Sequence, residues 1–127
     1  MKEPAQKWFT IAESDIASSI YLLKGAHYPQ AIYFLCQAIE KILKATEIEL
    51  KNSAPQKIHR LENLAKKTGL PFSKKQYDHL SELSKHYSRV RYPDISNVSY
   101  NTKLKVEPII TNGKGLYIWI KDKLKNQ

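Results

Sequence analysis

From Tyr28 to Leu50 the apolar positions recur at intervals of three and four. They are Ala31, Phe34, Leu35, Ala38, Ile39, Ile42, Leu43, Thr46 and Leu50, a continuous stripe on a helix. Gln30, Lys41, Lys44, Glu47 and Lys51 fall mostly on the other side. Pro29 suits the first turn, where a missing N–H has no helical partner in any case. At about 1.5 Å per residue this helix is roughly 35 Å long. One neighbour is not enough to cover that much apolar surface, so the pattern predicts that the other helices pack around it.

The same periodicity places a first helix over Ala5 to Lys24, with Trp8, Ala12, Ile16, Ser19, Ile20 and Leu23 inward and Gly25 as a cap able to take positive φ. The link to the central helix is so short that the two must be antiparallel neighbours. A third helix is predicted from Ile58 to Thr68, with His59 in its first turn and Gly69 as its stop. Ser73 followed by Gln76 is a capping-box pattern that opens a fourth helix. Tyr77, Leu80, Leu83, Ser84 and Tyr87 form its inner stripe, and Pro93 ends it near Val90 by disfavouring a helical Tyr92. Ile95 to Val106 reads as irregular or briefly extended, and Pro108 marks the first turn of a last helix reaching Lys125. Its inward positions are Ile109, Gly113, Leu116, Ile120 and Leu124, with Tyr117 and Trp119 to the side, where they would cover a dimer partner. Gly113 and Gly115 either permit a close helix crossing or mark frayed turns. The expectation is one all-α domain over residues 1–127.

Size supports that picture. A chain of 127 residues buries enough surface on folding to need no disulfide or metal. Its single cysteine, Cys36, sits in the central stripe and reads as a reduced packing residue; a reactive thiol would need a cationic, exposed setting. No stretch resembles a secretion signal or an apolar span of ~20 residues, so a soluble cytoplasmic protein without membrane contact is expected.

Charge changes the picture more. The net charge of +9 comes from 21 Lys and Arg against 12 Asp and Glu and favours an anionic partner. Only Arg60, Arg89 and Arg91 are arginines, the residue best suited to bidentate grip on phosphate. Two of the three fall in Arg89-Val90-Arg91-Tyr92-Pro93-Asp94. As structure, this is a helix terminus where Arg offsets the dipole and pairs with Asp94. As function, it is a phosphate or base contact with Tyr92 as a stacking face. His79, Glu82 and His86 share another stripe of the fourth helix. They read as an exposed face or dimer seam before a metal site, which would need more ligands. There is no phosphate-binding loop, dinucleotide fingerprint, CxxC, HExxH or nucleophile elbow, and no cofactor is expected.

With these features in place, the chain resembles the HEPN (higher eukaryotes and prokaryotes nucleotide-binding) domains. The run Gln37-Ala38-Ile39-Glu40-Lys41-Ile42-Leu43-Lys44-Ala45 is similar to their Gln-Ala-x-Glu-Lys-x-Leu-Lys-Ala signature. Around it, in order, stand Trp8, Glu13-Ser14-Asp15-Ile16-Ala17, Tyr28-Pro29-Gln30-Ala31, His59-Arg60-Leu61, Tyr87 and Arg91-Tyr92-Pro93-Asp94. The resemblance implies an up-and-down bundle of four to five helices that dimerises. It also implies one of two roles: a metal-independent ribonuclease toxin restrained by a minimal nucleotidyltransferase in a toxin–antitoxin-type operon, or a non-catalytic nucleotide-binding partner of that enzyme. Ribonuclease members carry an Arg and a His separated by four to six residues. Counting on from Arg91 gives Ser96, Asn97 and Val98; from Arg89, Asp94, Ile95 and Ser96; from Arg60, Ala65, Lys66 and Lys67. None is His, and His86 precedes Arg91. The resemblance therefore points to a non-catalytic binder of nucleotide or RNA, with Arg89, Arg91, Tyr92 and Asp94 at the site and Lys41 and Lys44 adding charge. The alternatives are a ribonuclease using His86 and Arg91, and a purely structural helical partner. Glu40 and Lys44, four apart, equally suit a simple helix-surface pair.

Overall fold

The structure is a computed structural model that describes residues 1–54 and 60–126. Five helices form an up-and-down bundle: α1 Glu3–Lys24, α2 Tyr28–Lys51, α3 Leu61–Thr68, α4 Lys74–Arg91 and α5 Lys103–Lys125. No strand occurs among the described residues. Ile58 and His59, which the sequence pattern places at the start of the third helix, lie outside them. No helix is long and apolar enough to cross a membrane among the described residues.

The central helix is α2, and each of the other four packs against it. Ile32, Leu35, Ile39, Ile42 and Leu43 are fully buried, each worth about 1.5–3 kcal/mol relative to exposure. The buried face is broader than one stripe, because Cys36, Ala45, Glu47 and Ile48 are buried too. Glu47 thus departs from the polar side to which the periodicity assigns it. Inside, its carboxylate accepts from Ser53 Oγ at 2.8 Å, which offsets part of its desolvation. Cys36 is the packing residue its position predicts. Its Sγ donates to the Leu83 carbonyl at 3.6 Å, and burial pushes the thiol pKa up, which leaves it unreactive.

The α1–α2 connection is as short as predicted, but Gly25 has φ −84° and the positive φ falls on Ala26 at 62°. The buried face of α1 carries Ala5, Phe9, Ala12, Asp15, Ile16 and Ser19, with Trp8 only half-buried. Ser19 Oγ donates to the Ala31 carbonyl at 2.7 Å, tying α1 to α2. At α4 the capping box forms as the sequence predicts. Gln76 N–H donates to Ser73 Oγ at 3.1 Å, and Ser73 N–H donates to Gln76 Oε1 at 2.8 Å.

The last helix begins at Lys103, ahead of the predicted start at Pro108. Thr102 caps it by accepting from Lys105 N–H at 3.3 Å, so Pro108 lies inside it. A Thr cap outweighs the missing proline N–H when the proline is still near the first turns. Tyr117, assigned by the pattern to a dimer face, is instead buried. Its hydroxyl donates to Glu13 Oε2 at 2.5 Å, beside Lys121 Nζ at 2.6 Å from Glu13 Oε1. Burial opposes ionisation of Glu13, but those two hydrogen bonds and the lysine charge outweigh it and lower its pKa.

The two α5 glycines differ physically. A Cβ on Gly113 would lie 2.5 Å from Leu35 Cδ2, so the close crossing of α5 over α2 requires glycine there. A Cβ on Gly115 would meet nothing within 4 Å. Gly113→Ala therefore loses stability by overpacking, on the order of 1 kcal/mol net. Gly115→Ala gains up to about 1 kcal/mol of helix propensity. Urea denaturation midpoints should shift in opposite directions for the two variants.

Candidate nucleic-acid interface

The signature residues of α2 build a ladder of polar groups on its side facing α1 and α4. Lys41 Nζ donates to Asp15 Oδ2 at 2.8 Å and to Gln37 Oε1 at 2.7 Å. Gln37 Nε2 donates to the Tyr87 and Tyr33 hydroxyls at 2.6 and 3.0 Å. The Tyr87 hydroxyl donates to Glu40 Oε1 at 3.0 Å, and Glu40 Oε2 accepts from Lys44 Nζ at 2.8 Å. Lys44 also lies 5.0 Å from the Trp8 ring centroid. Each group is thereby satisfied away from water, as burial demands. Burial, then the Glu40 carboxylate, raises the Tyr87 pKa, so the phenol stays a donor. Lys41 and Lys44 thus sit in ion pairs, and the Glu40–Lys44 pair is the helix-surface pair the spacing allows.

Tyr87 carries this order to Arg91. The guanidinium lies 4.0 Å from the Tyr87 ring centroid and 5.6 Å from that of Tyr92, and Arg91 Nε donates to the Tyr87 carbonyl at 3.1 Å. α4 ends at Arg91, so both arginines stand in its last turn, where cations offset the dipole. Neither Arg89 nor Arg91 forms an ion pair with a carboxylate among the described residues. Asp94 is exposed and does not take up the pairing with Arg91 that the spacing suggests. Tyr92 is 54% exposed, open enough to stack a base.

The two arginines border two adjoining hollows. Arg89 faces one of about 480 Å³ together with Tyr100 and the polar run Ser96 to Asn101. Arg91 faces another of about 370 Å³ with Tyr33 and Gln30. Pro29 and Val90 line both and form the ridge between them.

Tyr100 and Tyr33 are not among the residues singled out from the sequence. The available signal for Tyr100 is a single large aromatic in a Ser- and Asn-rich run. It is only 5% exposed and lies with its hydroxyl 2.8 Å from His86 Nδ1. Which of the two donates is set by the imidazole tautomer; burial raises the Tyr100 pKa, and Arg89 opposes the rise. His86 presents Nε2 toward Glu82 at 3.9 Å. Burial lowers the pKa of His86. Glu82 opposes this, and Arg89 and His79 add to it. Burial likewise lowers His79. No group of three or more metal-ligating side chains converges among the described residues.

Tyr87→Phe removes the hydroxyl that joins Gln37 to Glu40, and should cost about 1–3 kcal/mol in chemical denaturation. The two histidines set an acid response. Both titrate below 6.5 when folded, so below that pH the unfolded chain takes up protons that the folded chain refuses. Stability should fall as pH drops from about 6.5 through the folded values, and fall less in a His79→Gln, His86→Gln double variant.

A comparison with curated proteins gives no match. Among solved structures, TT1696 from Thermus thermophilus is similar with a TM-score of 0.78 at 21% identity, covering 96% of this chain and 99% of that one. ST0689, described as an archaeal HEPN homologue, is similar with a TM-score of 0.74 at 22% identity, covering 98% and 99%. At these identities the likeness concerns the fold. The HEPN domain model matches residues 5–123, nearly the whole chain and all five helices. With the signature ladder and the Arg-Tyr-Pro-Asp turn in place, the chain belongs to the HEPN-domain family.

Proposed function

We propose that this HEPN-domain chain binds the phosphates of a nucleotide or RNA at the Arg89–Arg91 rim without cleaving them. In this reading it acts as a homodimer in the cytoplasm, as the partner of a minimal nucleotidyltransferase. The observation that carries the reading is the state of the two guanidinium groups. Both lack a carboxylate partner among the described residues, and each faces a hollow with a tyrosine on its wall. Partly shielded guanidinium groups without a carboxylate bind phosphate strongly. Tyr92 supplies a stacking face, and Asp94 is placed to accept a ribose hydroxyl. Lys41 and Lys44, neutralised by Asp15 and Glu40, act only through the ladder that holds Tyr87 under Arg91.

The downstream positions Ser96, Asn97 and Val98 have no group that moves a proton near neutral pH. Loss of such a group costs roughly 10²–10⁴ in rate. One observation favours the ribonuclease alternative: Tyr100 bonds His86 and lines the hollow that Arg89 faces. That route would use His86 as the proton-transfer group.

Fluorescence anisotropy with labelled single-stranded RNA tests the reading, with a denaturing gel of the same samples. Arg89→Ala and Arg91→Ala should each weaken binding about tenfold and reduce the salt slope by about one. The RNA should remain intact. Metal-free cleavage abolished by His86→Ala would establish the ribonuclease instead. Unchanged binding in both arginine variants would leave only a structural role.

A further inference from the structure

Lys75, His79, Glu82, His86 and Arg89 follow one another along α4 at spacings of four, three, four and three. That spacing sets them on one face of the helix. The face is separate from the inner stripe of Leu80, Leu83 and Tyr87. From Lys75 to Arg89 it runs roughly 21 Å at about 1.5 Å per residue.

Three hollows follow this face in succession. The first, about 480 Å³, lies between Lys75, Gln76 and His79 on α4 and Thr111, Asn112 and Gly115 on α5. The second, about 210 Å³, runs from His79 to His86, with Leu83 and Ile109 supplying apolar wall and Asn112 shared with the first. The third is the Arg89 hollow already described, with the His86–Tyr100 contact standing between it and the second. The first two make a groove between α4 and α5, and the third lies beyond it, between the end of α4 and the segment 96–101.

Two features of the groove have no use within the chain. His79 is half-buried yet forms no hydrogen bond or ion pair with the described residues. Gly115 weakens α5, and unlike Gly113 it has no neighbour that requires it. A glycine facing open space in a groove wall lets an outside group approach the helix backbone closely.

We infer that the α4–α5 groove is a channel for single-stranded RNA that leads over the His86–Tyr100 contact to the Arg89 hollow and holds a run of a few nucleotides. The inference rests on the proposed RNA reading of the arginine rim and extends it from a phosphate contact to a strand path. Charge argues for this occupant. Arg89 and Lys75 stand at opposite ends and take phosphates, while Glu82 in the middle repels them. The backbone therefore rides outside the centre, with bases turned inward. There His79, His86 and Asn112 offer hydrogen bonds and flat faces, and Glu82 accepts from an exocyclic amine. Burial keeps the two imidazoles neutral near neutral pH, which suits base recognition over phosphate binding.

The test compares a dinucleotide, a tetranucleotide and an octanucleotide of labelled RNA binding to the full chain, by anisotropy. The tetranucleotide should bind about tenfold more tightly than the dinucleotide, since each added stacked base contributes. Gly115→Leu fills the first hollow while improving helix propensity, so its thermal midpoint should not fall. It should remove most of the length advantage and leave dinucleotide binding unchanged, and His79→Ala should do the same in part. Retention of the length advantage in both variants, with Arg89→Ala still weakening every RNA, overturns the channel and leaves the rim reading standing. Insensitivity of all RNA binding to Arg89→Ala and Arg91→Ala overturns both. A change in sedimentation caused by Gly115→Leu with RNA affinity intact assigns the groove to a second copy of the chain, and the inference fails.

Discussion

The Tyr87 hydroxyl is the joint on which this molecule depends. It accepts from Gln37 and donates to Glu40, so two side chains of α2 hold the phenol from opposite directions. A buried hydroxyl with both roles filled cannot rotate without leaving a polar group unsatisfied, at a cost of about 1–3 kcal/mol. Its ring is therefore a fixed surface, and Arg91 lies on it at 4.0 Å. The position of a surface cation is thus set by hydrogen bonds made in the interior. Packing of the central helix and placement of the rim are one arrangement.

That coupling explains why a polar ladder survives in the middle of a hydrophobic bundle. α2 could bury its whole circumference with apolar groups and lose nothing in burial energy. Instead it commits one side to Gln37, Glu40, Lys41 and Lys44, all drawn into pairs with Asp15, Tyr33 or Tyr87 or with each other. Buried ion pairs contribute little net stability because desolvation offsets attraction. Their effect here is geometric: they determine where α1 and α4 stand against α2. The segment after α4 is anchored similarly, with the aromatic Tyr100 buried against His86 while its neighbours stay exposed.

Much of the fold is legible in local pattern. The three-and-four periodicity of α2, the Ser73–Gln76 capping box, the short α1–α2 link and the close crossing at Gly113 all appear in the structure. So does the arginine pair at the end of α4. Other readings fail for specific reasons. Pro108 has the look of a first-turn marker, but Thr102 caps the helix earlier. Tyr117 has the spacing of a surface aromatic, but Glu13 of α1, itself held by Lys121, draws its hydroxyl inward. Glu47 falls outside a single helical stripe, whereas α2 is covered from several sides.

Helix location, helix ends and the amphipathic face of each helix depend on residues within about four positions of one another. Those properties are therefore carried by the chain as written. Which polar groups meet across the bundle is not, because the partners are far apart in sequence: 26 residues for Lys41 and Asp15, 47 for Tyr87 and Glu40. Local pattern says that Lys41 and Lys44 are charged. Only the docking of α1 and α4 onto α2 decides that those charges turn inward, while Arg89 and Arg91 lie by the start of α2, whose first turn has no acidic residue, and keep theirs for the surface.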